Sequence, residues 1–156
     1  MKKAILLLAL CLLLCGCGKQ APAELPNPWV DYDTLAQAQE AVGFTLELPE
    51  TVEGSYTAQR FRVMNGELLE VVYIDGDFSV TVRKMAGEGQ DISGVYGDFE
   101  TEHTHELDGC TVINKLGDGP WVTLVSRGGY SYSLYAPNHY WGDSMQGFLG
   151  PITGVW

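Results

Sequence analysis

The sequence predicts an α+β domain: an antiparallel sheet of about seven to eight meandering strands, a short N-terminal helix, and room for a second short helix near the C-terminus. Three observations carry that expectation. Short segments of alternating apolar and polar residues recur between glycine turns such as Asn65-Gly66, Asp75-Gly76-Asp77, Asp108-Gly109 and Gly128-Gly129. Helical spacing opens the domain in a single stretch, residues 31–44. Cys110 is the only cysteine after residue 17, so no disulfide can form within the domain and the fold rests on an apolar core.

The helix signal reads DYDTLAQAQEAVGF. Thr34 and Gln37 stand at capping-box spacing, Leu35, Ala38 and Val42 recur along one face, and Gly43 sits where a left-handed residue ends a helix. Phe44 to Leu48 reads as a first strand. Tyr56 to Met64 and Glu67 to Ile74 flank Asn65-Gly66, the signature of a type I′ hairpin. Phe78 to Met85 then alternates Phe78, Val80 and Val82 with Ser79, Thr81 and Arg83. Beyond a glycine-rich loop from Ala86 to Gly97, a second meander runs Asp98 to Leu107, Cys110 to Leu116, Trp121 to Arg127 and Tyr130 to Ala136. In the tail, Asn138 to Trp156, Asp143 is placed to cap a short helix through Leu149.

The N-terminus reads as an address. Lys2 and Lys3 precede the apolar run Ala4 to Leu14, which has the length of a signal-peptide core and falls short of the roughly 20 apolar residues of a membrane span. Leu14-Cys15-Gly16-Cys17 resembles a bacterial lipobox, in which the last cysteine is acylated. Residues 1–16 are thus expected to be a lipoprotein signal peptide, 17–28 a lipidated Pro-rich tether, and 29–156 one domain held to the outer face of the cell membrane. Two acyl chains on Cys17 suffice for stable anchoring in a bilayer. The tether GKQAPAELPNP reaches on the order of 40 Å at most, which keeps the domain near the membrane. Loss of Lys2 and Lys3 leaves 7 basic against 20 acidic residues, a balance that disfavours nucleic acid as a partner.

Several segments together resemble a domain of undetermined function found in Firmicutes lipoproteins, related to extracytoplasmic domains of anti-sigma-factor-like membrane proteins. The resemblance starts in NPWVDYDTLAQAQEAVGFTLELPE, where the helix Leu35 to Val42 ends in Gly43-Phe44 before a strand and Pro49. It continues in ELDGCTVINKL and in WVTLVSRGGYSYSLYAP. ETVEGSYTAQRF departs from that family's Pro-Glu-Gly-Tyr form, keeping only Glu53-Gly54-Ser55-Tyr56. The likeness implies an extracytoplasmic address and an architecture, and it carries no reaction.

The stretch ETEHTHELDGC, residues 100–110, is richest in ligand-type side chains. A two-residue Asp108-Gly109 loop pairs Leu107 with Cys110, His105 with Val112 and His103 with Asn114. Strand alternation then puts both imidazoles on one face with Cys110, and Glu100, Glu102 and Glu106 on the other. His103, His105 and Cys110 are the candidate metal ligands, but the split denies them carboxylates. The histidines are expected to pack against a core wall rather than to hold an ion. Gly-x-Ser-x-Gly is absent around Ser131; His139 and Asp143 could make a catalytic pair with a distant serine, but a loop histidine is the far commoner case; and the glycines at 87, 89, 94 and 97 precede neither a helix nor a Lys-Ser/Thr pair. No cofactor is implied. The aromatic residues Tyr140 and Trp141 suggest a ligand patch. The function expected is a non-enzymatic binding or sensing module with a protein, glycan or lipid ligand; the alternatives are a divalent-metal lipoprotein using His103 and His105, and a small hydrolase.

Overall fold

A computed structural model describes residues 27–48, 50–52, 56–137 and 145–153. The strands are β1 (Trp29–Tyr32), β2 (Thr51–Val52), β3 (Tyr56–Met64), β4 (Leu68–Asp75), β5 (Phe78–Ala86), β6 (Thr101–Leu107), β7 (Cys110–Leu116), β8 (Trp121–Arg127) and β9 (Tyr130–Ala136). Eight of them form one antiparallel sheet in the order β1-β3-β4-β5-β9-β8-β7-β6, and the two-residue β2 pairs with β3. Among the described residues there are two short helices, α1 (Leu35–Val42) and α2 (Met145–Thr153).

The α+β expectation is therefore corrected to a largely β fold: one large antiparallel sheet with, among the described residues, only two short helices. The helical periodicity at the start of the domain spans only eight residues, too few to build a layer. Phe44 to Leu48 is also not a strand. Side chains take its backbone groups instead: Gln39 Oε1 accepts from the Leu46 amide, and Lys84 Nζ donates to Thr45 O at 2.7 Å. A strand that the sequence reading missed, β1, pairs with β3 through Val30–Val63 and Tyr32–Phe61.

Local chemistry accounts for the elements that do form. Thr34 has extended backbone and its hydroxyl accepts from Gln37 N at 3.3 Å, while Gly43 (φ 75°) donates to Gln39 O at 2.9 Å. At Asn65-Gly66 both residues have positive φ, 55° and 72°, as a type I′ turn needs. Pairing resumes one residue late, at Met64–Leu68, so Glu67 is an extra residue whose amide donates back to Met64 O at 3.1 Å. Asp108-Gly109 also has positive φ, 47° and 75°, and the register it sets is Leu107–Cys110, His105–Val112 and His103–Asn114.

The two faces of the sheet are covered differently. On one, Val63, Leu69, Val71, Val80, Val82, Val125 and Leu134 form a continuous core with Ala38 of α1 and Phe148 and Ile152 of α2. Phe148 stands edge-on to Tyr73, ring centroids 4.8 Å apart at 78°. This is the helix-side face. On the other, the segment from Gly87 to Glu100 carries the chain from β5, in mid-sheet, to β6 at the far edge. Gly89 N and Gln90 N donate to the hydroxyls of Ser126 and Ser131, each at 3.0 Å, and Ser131 donates to Gly87 O at 2.7 Å. Ser131 and Ser133 are consequently buried with Tyr132 and Leu134, so β9 has no solvent face along that run.

Candidate functional site

Three arrangements of side chains stand out, and two of them are built by strand alternation. The first is a groove of about 510 Å³ where α1 lies over β3. Leu35, Ala36, Leu48, Ala58 and Phe61 supply its apolar lining, and the Tyr73 ring lies at its buried end. Asp33 and Glu50, both exposed, stand at the rim. A separate depression on the other flank of α1 is lined by Asp31, Asp33 and Glu40, so Asp33 stands between the two. Burial pushes the Tyr73 hydroxyl well above the ordinary tyrosine range, so it stays neutral at any ordinary pH. The arrangement suits an apolar group carried beside a positive charge.

The second is a lysine in the core. Lys84 follows Val80 and Val82 in phase on β5, so alternation drives it onto the helix-side face, where it is buried. Its ammonium lies 4.1 Å from the Tyr130 ring centroid, 5.1 Å from Tyr132 and 5.4 Å from Phe44. With its bond to Thr45 O, the lysine fastens the segment after α1 to the sheet. Burial lowers its pKa below the ordinary lysine value, and the charge of Glu47 opposes that shift.

The sign of the resulting pH dependence follows from proton counts. Folded Lys84 releases its proton before the unfolded side chain does, whose pKa is 10.5. As pH rises towards that value the unfolded chain binds more protons, so this residue makes stability rise with pH. Tyr73 and Tyr132, raised by burial, act in the opposite direction once unfolded tyrosines ionise near 10.0. Comparison with Lys84→Met isolates the lysine. Urea titrations should show wild type gaining stability relative to the variant as pH rises towards 10.5, and a difference that stays flat or shrinks contradicts the assignment.

The third arrangement occupies the other face. Glu70 is fully buried, and its Oε1 accepts from Arg62 Nε at 2.7 Å while Oε2 accepts from Arg83 Nε at 2.9 Å. Register explains the meeting, because Glu70 lies opposite Arg62 on β3 and Arg83 on β5. The Arg62 and Arg83 guanidinium carbons lie 4.6 and 5.6 Å from the Trp29 ring centroid. Arg83 also donates to the carbonyls of Ile92 and Ser93, fixing the crossing loop. Gly94 has φ 67°, and a Cβ there would run into Arg83 Nη1, so glycine is required. With its partners satisfied inside the protein, this cluster is architectural.

The sequence-derived candidates fare unevenly. His103 and His105 share the helix-side face, as strand alternation dictates, but β6 lies beyond the helices and both imidazoles are exposed. The expected core wall is therefore absent there. Cys110, on the same face, is fully buried, with its thiol 3.9 Å from Asp108 O. Among the described residues no three His, Cys, Asp or Glu side chains converge to hold an ion. Cys17, His139, Tyr140, Trp141 and Asp143 lie outside the described residues. Reasoning from sequence missed Lys84 and the groove. The signal for Lys84 was present in its phase with Val80 and Val82; the groove depends on where α1 comes to rest, which no local pattern records.

No family model, curated protein or solved structure matches the chain. The likeness of residues 27–50, 106–116 and 121–137 to the lipoprotein domain thus rests on those residues alone.

Proposed function

We propose that the chain is a lipid-anchored extracytoplasmic binding module, non-enzymatic, that takes an apolar group carried beside a positive charge in the groove between α1 and β3. The observation that carries this reading is the pairing of an apolar lining (Leu35, Ala36, Leu48, Ala58, Phe61) with two carboxylates at the mouth, Asp33 and Glu50. The excess of 20 acidic over 7 basic residues after the leader strengthens the attraction for a cationic ligand and keeps the domain off an anionic bilayer surface. Acylation of Cys17 and a short tether place that mouth near the membrane, where amphiphilic peptides and lipids gather.

The test uses the full chain and an amphiphilic cation, dodecyltrimethylammonium below its micelle concentration. Ala36, exposed on α1 and lining the groove, is changed to Trp to fill it without disturbing the core. Saturable binding by wild type, weakened at least tenfold by Ala36→Trp, supports the reading; equal binding by both chains overturns the groove. In the same cells Cys17→Ala should move the protein from the membrane to the soluble fraction, and continued membrane retention contradicts the anchor.

A further inference from the structure

The exposed histidines of β6 have a use that neither the groove nor the core requires. His103 and His105 are two residues apart on one strand face, so their side chains rise in parallel from bases roughly 7 Å apart. Imidazole is a good ligand for Zn²⁺, but a stable tetrahedral site takes four ligands and these are two. Among the described residues none nearby on that face adds a third. Asn114, opposite His103, already accepts from Thr123 Oγ1 at 2.7 Å, and the Cys110 thiol is buried. One copy holds half a site.

A second copy holds the other half. β6 ends the sheet, and its outer edge meets no further strand among the described residues. Residues 101–106 are all exposed, so no covering layer lies over that strand among the described residues. An antiparallel pairing of two β6 strands about a two-fold axis through Thr104 places His103 opposite the partner's His105 and His105 opposite the partner's His103. Directly opposed side chains in such a pair start about 5 Å apart, so four imidazoles rise from a patch of roughly 5 by 7 Å. Four converging nitrogens at about 2 Å match a tetrahedral zinc site. A slip of two residues either way destroys the set: His105 then meets the partner's Thr101, or His103 the partner's Leu107. We infer that β6 is a zinc-gated dimer edge, at which one Zn²⁺ on the two-fold axis is held by His103 and His105 of two copies.

The opposite face explains the gating. The same register sets Glu102 against the partner's Glu106, twice. Like charges directly opposed in a strand pair are destabilising, and both chains are strongly acidic. Lys115, 3.7 Å from Glu102, and the Thr111 hydroxyl, donating to Glu106 at 2.9 Å, relieve only part of that repulsion. Without metal the carboxylates keep the edges apart, an ordinary defence of an exposed strand. Zinc supplies the missing attraction and fixes the register.

Thr104→Cys reports this geometry directly, because two cysteines opposed across the axis lie within disulfide reach. The full chain is expressed in membranes, exposed to Zn²⁺ and then to a mild thiol oxidant, and run on a non-reducing gel. The expected result is a covalent dimer that increases several-fold with Zn²⁺, falls with a chelator, and returns to the metal-free level when His103→Ala and His105→Ala are added. A dimer yield that ignores Zn²⁺, or a zinc response that survives loss of both histidines, overturns the inference. The groove variant Ala36→Trp leaves this edge untouched, so the two proposals fail independently.

Discussion

Glu70→Gln should cost about 3 kcal/mol of folding stability, read as a lower urea midpoint with an unchanged slope. The substitution preserves shape and removes only the charge. In the native sheet that carboxylate is fully buried and serves two guanidinium groups, through Arg62 Nε at 2.7 Å and Arg83 Nε at 2.9 Å. Removing one partner of a buried ionic set leaves the others uncompensated, which is far more damaging than never having built it. The arginines are 24% and 16% exposed, so water screens part of the loss and the lower end of the usual 3–5 kcal/mol range is expected. The damage should also spread, because Arg83 holds the carbonyls of Ile92 and Ser93. Amide exchange across residues 91–95 should therefore quicken with the global loss. A change below about 1 kcal/mol would mean that the cluster behaves as a surface pair.

Phe148→Ala should be comparably severe, about 3–5 kcal/mol, because a large aromatic side chain leaves a cavity that a sheet cannot collapse to fill. Phe148 is fully buried and packs edge-on to Tyr73, itself 1% exposed. It is the main apolar contact through which α2 sits on the helix-side face, together with Ile152. A urea midpoint close to wild type would show that α2 contributes little to the core and that the face is closed by other residues.

How far the sequence could be read depended on the range of the interaction concerned. Asp108-Gly109 reports its own turn, since both residues accept positive φ, and the β6–β7 register then follows by counting. Thr34 and Gly43 likewise report the ends of α1. The pairing of β5 with β9, which sets Val82 against Leu134, joins distant segments and leaves no local trace. The sheet order was illegible for that reason. Alternation assigned the faces correctly yet could not say what covers them: His103 and His105 share a face with the core but lie past the end of α1 and α2, while Lys84 lies beneath Phe44. The class itself was misjudged because α1, with good caps at both ends, was given the weight of a helical component, whereas it is eight residues long, about two turns, against a sheet of eight strands.

The groove is the central claim, and backbone amide shifts during titration with dodecyltrimethylammonium test it most directly. Binding as proposed moves the amides of Leu35, Ala36, Ala58 and Phe61 together along one saturating curve, and leaves those of β6 and β7 where they are. Shifts scattered over the sheet, or confined to the acidic edge strand β6, would contradict a binding seat between α1 and β3.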